Sequence, residues 1–271
     1  MNKIIMKALL INTFQKEIRN KTLVFLFVLS IFLILLINQI SIFFVSNPAM
    51  QEGLQWNNTK MSFLYEIISV WGSMLGFILG VSTIKSDMDY GVSQQIVAFP
   101  VRPQLYLACR LLGTWLIVNF YYIVTLLLAL LVFALSGDQL AFSYKIFLSF
   151  GVFSLKILIC ITLAVLLSIH FTKVIAFVSS IIIFTIMNVS NTHFANGFDW
   201  RELRLFSTLG LIVNWILPRL NTISELSKNL LMDKNTFTFS FFEGGHLILS
   251  YALLFWVTYL SLKSKDYQGG E

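Results

Sequence analysis

Two ionisable residues, Glu66 and Lys156, stand within long apolar runs of the sequence. A charge in hydrocarbon is costly unless it is paired, hydrated or able to reach the membrane surface, so such residues mark structural or functional sites. Glu66 is the only acidic residue well inside a predicted membrane span, which makes it the natural partner of Lys156. We therefore predict a Glu66–Lys156 ion pair or one polar cavity that holds both. Satisfaction of each charge by water or carbonyl groups is the alternative.

Other residues with catalytic or metal-binding chemistry are scattered along the chain. Neither an H-E-x-x-H metalloprotease motif nor a G-x-S-x-G nucleophile elbow occurs. His170, His193 and His246 lie singly at the ends of apolar runs, and the last two share one predicted side, which leaves a metal or haem pair open. Cys109 and Cys160 are expected to be buried apolar residues rather than nucleophiles. We expect no enzymatic activity, cofactor or metal on this chain itself.

The composition indicates a membrane protein. Of the 271 residues, 57% are hydrophobic and only 12% are charged, against about 25% charged residues in a typical soluble domain. A soluble fold of this size lacks the polar surface to cover so many apolar side chains. The net charge of +6 does not indicate nucleic acid, because the basic residues flank the apolar runs.

Six segments are long enough to cross a bilayer, which takes roughly 20 mainly apolar residues. They are residues 22–45, 61–84, 104–135, 143–169, 174–192 and 246–262. Residues 203–217 form a weaker candidate that Pro218 ends, and we interpret them as an interfacial or re-entrant helix. The predicted fold class is an all-α polytopic membrane protein with six transmembrane helices, built as one domain over residues 1–271.

The distribution of Lys and Arg predicts the orientation of the chain. With the N-terminus inside, the cytoplasmic parts carry Lys3, Lys7, Lys16, Arg19, Lys21, Lys85, Arg102, Arg110, Lys173, Lys263 and Lys265. The short outer loops carry only Lys60 and Lys145. The positive-inside rule therefore favours an N-in, C-in topology. We expect no cleavable signal, because the first apolar run is too long for one.

Residues 1–21 predict an amphipathic N-terminal helix. On a helical wheel, the apolar side chains on one side are Ile4, Leu10, Ile11, Phe14 and Ile18. A basic helix of this kind lies in the membrane interface with its apolar face in the lipid. It is either an elbow helix that docks a cytoplasmic partner or a simple positively charged flank.

The second predicted span carries small residues on one face. Gly72, Gly76 and Gly80 repeat every fourth residue, and Ser69 and Ser73 fall in the same arc, as does Glu66. Small residues let helix backbones approach closely in lipid. We expect this face to contact protein. Packing within the bundle and a dimer seam or translocation path both remain open.

The connection over residues 86–103 predicts a short cytoplasmic helix. Residues 92–99 are uncharged and amphipathic. Asp87 and Asp89 precede them, which suits the N-terminus of a helix. Pro103 begins the next span at a position where its missing N–H does no harm. Such a short helix between two spans suits the transmission of force from a soluble partner.

Two outer helices are predicted within residues 193–245, before the last span. The stretches 199–202 and 222–225 are close to capping boxes, with a cap residue followed three positions later by Glu. They predict helices over residues 200–217 and 223–232.

The stretch 85–113 resembles the ABC-2-type exporter permease family. Members typically show an acidic residue and a glycine, an apolar stretch ending in proline, a basic turn, and a basic residue that enters the next span. The corresponding residues here are Asp89, Gly91, Ile96, Phe99, Pro100, Arg102 and Arg110. Val92 stands where Thr is usual, and Arg110 stands where Lys is commoner. The six spans and the outer helices extend the resemblance over nearly the whole chain.

The resemblance implies a permease subunit in a bacterial cytoplasmic (inner) membrane. It would pair with a second permease copy or a homologous permease, and with two copies of a separate ATP-binding-cassette ATPase subunit. The implied contacts with that ATPase are Asp89, Gly91, Val92, Gln95, Ile96, Phe99, Pro100 and Arg102. ATP and Mg would bind to the partner, because this chain has no G-x-x-x-x-G-K-[ST] phosphate loop. A secondary transporter and a non-transporting membrane assembly subunit are the alternatives.

Overall fold

The computed structural model describes residues 2–18, 21–46, 56–89, 103–135, 145–194, 205–231 and 241–268. Within these ranges the chain forms nine helices: α1 (Asn2–Ile18), α2 (Lys21–Ser46), α3 (Trp56–Asp89), α4 (Pro103–Leu135), α5 (Lys145–His170), α6 (Lys173–Phe194), α7 (Leu205–Ile216), α8 (Leu220–Leu231) and α9 (Phe241–Gln268). The described residues outside helices form short connections at 171–172 and 217–219. The prediction of an all-α fold is confirmed for this part of the chain.

Five of the described helices are long and apolar enough to cross a membrane, as judged by length and composition. They are α3, α4, α5, α6 and α9, and they correspond to five of the six predicted spans. In α2 the described apolar stretch, Val24–Ile40, is shorter. The chain is therefore a multi-pass membrane protein, and the sixth span stays a prediction.

Local sequence explains several helix ends. Pro103 opens α4 at the first helical position, where no N–H is needed. The Thr172 carbonyl oxygen accepts a hydrogen bond of 2.8 Å from the Ala176 backbone N–H and so starts α6. Pro218 follows α7 and separates it from α8. These prolines and caps fix where each apolar run becomes a separate helix.

Helix α3 is longer than the span predicted for it. Its 34 residues reach about 51 Å at 1.5 Å per residue, against a hydrocarbon core of about 30 Å. Asp87 and Asp89 consequently lie in the C-terminal turn of α3, and the short helix predicted after them, over residues 92–99, lies outside the described residues. A carboxylate at a helix C-terminus opposes the helix dipole, and cationic partners offset that effect here, as described below.

The core of the bundle is the contact between α3 and α5, the most extensive helix pair in the described residues. Leu75 and Leu79 of α3 are fully buried there, as are Ile157 and Ile161 of α5. Helix α1 packs mainly against α4, and α8 packs mainly against α5. Helices α6 and α9 are peripheral, with only 28% and 22% of their spanning stretches buried within the chain.

The helices predicted within residues 193–245 differ in detail from the prediction. Helices α7 and α8 occupy Leu205–Ile216 and Leu220–Leu231. Thr222 therefore lies inside α8 and does not cap it, so the capping box predicted at 222–225 is wrong. The helix begins earlier because the chain resumes helical geometry directly after Pro218 and Arg219. The stretch 199–202 lies outside the described residues.

Candidate functional site

The first candidate site is a buried cluster of ion pairs around Asp87. The Asp87 Oδ2 atom lies 2.6 Å from the Arg110 Nη2 atom of α4 and accepts a hydrogen bond of 2.6 Å from the Tyr106 hydroxyl. The Asp87 Oδ1 atom lies 3.0 Å from the Lys16 Nζ atom of α1. One buried carboxylate thus joins α1, α3 and α4. We call these four residues, together with Thr13, the Asp87 cluster.

Arg110 is the most deeply placed cation of the cluster, with only 1% of its surface exposed. Its Nη1 atom donates a hydrogen bond of 2.8 Å to the Thr13 hydroxyl of α1. Its guanidinium carbon lies 5.7 Å from the centroid of the Tyr106 ring, within range of a cation–π contact. Since water cannot hydrate this charge, the Asp87 carboxylate supplies its compensation.

Lys16 also joins α1 to α3 through two hydrogen bonds. Its Nζ atom donates hydrogen bonds to the Thr83 carbonyl oxygen, at 3.1 Å, and to the Ser86 hydroxyl. On the α4 side, a Cβ atom built on Gly113 would lie 2.9 Å from the Thr13 Cβ atom. A glycine at position 113 is therefore needed for α1 to approach α4 this closely.

We call the predicted cytoplasmic connection over residues 86–103 the coupling segment. In the sequence the Asp87 cluster has members on both sides of residues 90–102 of this segment, with Asp87 before them and Tyr106 and Arg110 after them. Helix α3 ends at Asp89 and α4 begins at Pro103. The Asp89 Oδ2 atom also lies 3.0 Å from the Lys173 Nζ atom at the start of α6, in a pair that is about half exposed. The other predicted contact residues, Gly91, Val92, Gln95, Ile96, Phe99, Pro100 and Arg102, lie outside the described residues.

Sequence reasoning singled out Lys16, Asp87 and Arg110 separately and did not bring them together. The contacts among these residues depend on how α1 packs against α4, and no residue pattern specifies that packing. The available signal was the presence of opposite charges at the ends of three apolar segments, close to the same predicted membrane face.

The second candidate site lies towards the other end of α3. At 1.5 Å per residue, the helix between Glu66 and Asp87 is about 32 Å long, close to the ~30 Å of a bilayer core. The two sites are therefore separated by about the thickness of a membrane. Tyr65, Glu66 and Lys228 stand at the second site.

Glu66 does not form the predicted ion pair with Lys156. Its Oε1 atom lies 2.7 Å from the Lys228 Nζ atom of α8, and both side chains are partly exposed. The partner is Lys228 because α8 packs beside the start of α3, a placement that the sequence does not reveal. Glu66 and Lys156 nevertheless line the same cavity, which is the alternative that the sequence left open.

Lys156 is buried on α5, with 6% of its surface exposed. Its Nζ atom donates a hydrogen bond of 3.0 Å to the Ser69 hydroxyl of α3. The same atom lies 5.5 Å from the ring centroids of Phe153 and Phe184. Among the described residues no salt bridge reaches Lys156, so its charge lacks a carboxylate in contact.

The cavity beside Lys156 has a volume of about 470 Å³ and lies between α3, α5, α6 and α8. Its lining includes Ser69, Ser73, Phe77, Phe184, Asn188 and Ser224. It therefore combines hydroxyl and amide groups with aromatic rings around one buried ammonium group. We call it the Lys156 cavity.

Helix α8 closes one side of the Lys156 cavity and is fixed there by polar contacts. The Ser149 hydroxyl of α5 donates to the Ser227 carbonyl oxygen at 2.7 Å, and the Ser227 hydroxyl donates to the Ser149 carbonyl oxygen at 2.9 Å. The Tyr65 hydroxyl donates to the Ser224 carbonyl oxygen at 3.0 Å. These bonds hold α8 against the N-terminal ends of α3 and α5.

The glycine stripe of α3 faces α5 within the same chain. A Cβ atom on Gly80 would lie 2.9 Å from the Ala164 Cβ atom, and one on Gly76 would lie 3.5 Å from the Ile161 side chain. A Cβ atom on Gly72 would lie 3.4 Å from the Phe153 ring. The stripe thus sets how closely α3 and α5 approach.

The histidines and cysteines belong to no group of three or more possible metal ligands in the described part of the chain. No group of three or more His, Cys, Asp or Glu residues there could hold a metal ion. The His246 Nε2 atom lies 2.9 Å from the Trp215 carbonyl oxygen, so it is engaged in joining α9 to α7. Cys109 and Cys160 are free and buried.

Comparison of the sequence with protein-family models and with curated proteins gave no match.

Proposed function

We propose that this chain is the permease subunit of an ATP-binding-cassette exporter. The observation that carries the proposal is the Asp87 cluster, which joins α1, α3 and α4 beside the predicted coupling segment. The resemblance of residues 85–113 to ABC-2-type permeases is a second support. It assigns the basic residue entering the next span to Arg110, the residue that is buried at the centre of the cluster.

The cluster suits force transmission because it makes three helix ends move as one body. A soluble partner that pushes on residues 90–102 would act on the end of α3 and the start of α4. Asp87 and Lys16 would pass that displacement to α1, and Asp89 would pass part of it to α6 through Lys173. Coupling of this kind requires rigid elements with a discrete network of contacts.

The proposal includes six spans and an N-in, C-in orientation in a bacterial inner membrane. Support for α2 as the sixth span comes from its packing along α4. The Phe27 ring lies 6.4 Å from the Tyr121 ring, and the Ser30 and Tyr121 hydroxyls are hydrogen-bonded. Contacts of this kind between α2 and α4 support the proposal that α2 runs beside a spanning helix.

The ATPase, with ATP and Mg, would be a separate subunit present in two copies, bound to a pair of permease chains. The test is purification of the tagged chain in mild detergent, followed by mass spectrometry and a vanadate-sensitive ATPase assay. A co-purifying ATP-binding-cassette subunit is the expected result. A clean chain without a nucleotide-binding partner would overturn the proposal.

The coupling segment is tested by an Ile96→Asp/Phe99→Asp double variant. Two carboxylates on its apolar face should abolish stimulation of the partner ATPase, because their burial in an interface is strongly unfavourable. A Lys263→Asp/Ser264→Asp variant, which changes exposed residues at the end of α9, is the matched control. Normal stimulation by the 96/99 variant would contradict the role proposed for this segment.

A secondary transporter is the second candidate, and the buried Lys156 is the observation that favours it. Secondary transporters place ionisable residues and substrate sites within the membrane. Uptake or efflux driven by an ion gradient in proteoliposomes without ATP would support this reading. The same protein would then show no ATPase partner in the purification described above.

A further inference from the structure

The Lys156 cavity holds an ammonium group that no carboxylate contacts within the described part of the chain. Glu66 is engaged with Lys228 at 2.7 Å, while the Lys156 Nζ atom bonds to the neutral Ser69 hydroxyl. Burying an ammonium group without a counter-charge is expensive. An anion that entered the cavity would gain the attraction of this charge in a poorly hydrated place.

Three lining residues, Ser69, Ser73 and Phe77, follow one another along α3 at intervals of four residues. Ser69 and Ser224 lie on the side of α8, where the Tyr65 hydroxyl reaches the Ser224 carbonyl oxygen. At 1.5 Å per residue, Phe77 lies about 12 Å further along α3 than Ser69. There it packs edge-to-face against Phe184 of α6, with 5.5 Å between ring centroids. The Lys156 Nζ atom, which bonds to the Ser69 hydroxyl, itself lies 5.5 Å from the Phe184 ring centroid. The aromatic surface therefore begins beside Lys156 and continues to Phe77, which gives hydrocarbon attached to a head group at Lys156 a surface to contact.

The rim of the cavity reaches the outer surface of the bundle between α3 and α6. Val70 of α3, which lines the cavity, is 54% exposed, and Ile182 beside the lining residue Thr185 is 53% exposed. Both helices are among those that can cross a membrane. The lining of the cavity therefore includes exposed residues on two helices that can cross a membrane.

We propose that the Lys156 cavity binds an amphiphile with an anionic head group, a carboxylate or a phosphate, and an apolar chain. Lys156 and the Ser69 hydroxyl bind the head group, and the chain lies along Phe77 and Phe184. At the rim Glu66 pairs with Lys228, and the exposed Glu225 carboxylate also lines the cavity. Lys156 is the buried cation of the lining, and we assign the selection of the ligand to it. Binding at this site requires no ATP and no partner subunit. The result of a binding experiment is therefore independent of the proposed function.

The test uses the purified full-length chain in nanodiscs of zwitterionic phosphatidylcholine. The probes are a fluorescent anthroyloxy fatty acid and its uncharged methyl ester, which have the same chain. We expect the acid to bind at least tenfold more tightly than the ester. Equal affinities in the wild-type protein would overturn the proposal, and this result does not depend on any variant.

Lys156→Gln should remove the preference for the acid while leaving the binding of the ester unchanged. Glutamine keeps a hydrogen-bond donor for Ser69, and retained ester binding shows that the cavity is intact. Lys263→Gln, at an exposed position on α9, is the matched control and should keep the full preference. A preference that survives in Lys156→Gln would overturn the assignment of Lys156.

Competition separates the two sources of the anionic head group. Unlabelled fatty acid and lysophosphatidate are each titrated against the bound probe. Stronger displacement by lysophosphatidate would assign a phosphate ligand, and stronger displacement by the fatty acid would assign a carboxylate. Displacement by neither, at concentrations that saturate the nanodisc, would overturn the proposal.

Discussion

At the scale of single residues, Asp87 is a buried carboxylate that forms ion pairs with two cations. It faces Arg110, which is 1% exposed, and Lys16, whose side chain is 28% exposed. Both cations would stay near the protein interior if the carboxylate were neutralised. Breaking a buried pair is more costly than the pair is stabilising, because the remaining charge is uncompensated.

We expect Asp87→Asn to lower the free energy of unfolding by about 3–5 kcal/mol. Asp89→Asn is the control, since the Asp89–Lys173 pair is about half exposed and such pairs contribute at most about 1 kcal/mol. Thermal unfolding of both variants, followed by tryptophan fluorescence in one detergent, provides the comparison. Equal melting temperatures would contradict the buried role of Asp87.

At the scale of elements, α1 shows two different faces. Thr13 is fully buried against α4, whereas Ile11 and Phe14 are 46% and 42% exposed. The polar contacts of this helix thus point into the bundle, while apolar side chains point away from it. Exposed apolar side chains on one face agree with the predicted interfacial helix, and Lys16 joins the C-terminal part of α1 to the bundle.

The contact between α3 and α5 depends on the lack of a side chain at Gly80. A methyl group there would lie 2.9 Å from the Ala164 Cβ atom and 3.0 Å from the Ile161 carbonyl oxygen, so the α5 backbone would have to move. We expect Gly80→Ala to destabilise the protein by about 1–3 kcal/mol. The measurement is the melting temperature of the purified chain.

Gly151→Ala is the matched control for this substitution. Gly151 is also helical, and a Cβ atom built on it meets nothing within 4 Å. Alanine should therefore leave stability unchanged or raise it by up to about 1 kcal/mol, through helix propensity. A change of the melting temperature in the same direction in both variants would contradict the conclusion that Gly80 is needed for the close packing of α3 against α5.

At the scale of the whole molecule, most of the outward surface of α6 and α9 is apolar. Ile175, Val178 and Ile182 of α6 are about half exposed, as is Trp256 of α9. Surface of this kind faces lipid or a second copy of the chain. The charged clusters, by contrast, lie near the two ends of α3.

The topology of the molecule is tested by labelling with a membrane-impermeant maleimide. Because Cys109 and Cys160 are buried, single cysteines can be introduced at exposed Gln15, Glu225 and Ser264. With six spans we expect Glu225→Cys to react in intact cells, and Gln15→Cys and Ser264→Cys to react only after permeabilisation. Reaction of Gln15→Cys and Ser264→Cys from opposite sides would contradict six spans.

The sequence by itself determined the membrane class, the all-α fold and the approximate helix ranges. Apolar runs bounded by prolines and charges carry that information locally, because a helix in lipid must satisfy its own backbone. It also indicated that Glu66 and Lys156 lie near one cavity. Only the tertiary structure decided which charged residues form ion pairs. Glu66 pairs with Lys228, and Asp87 pairs with Lys16 and Arg110. Those pairings join residues far apart in the chain, and they follow from how α1 and α8 pack onto the bundle, which local patterns do not encode.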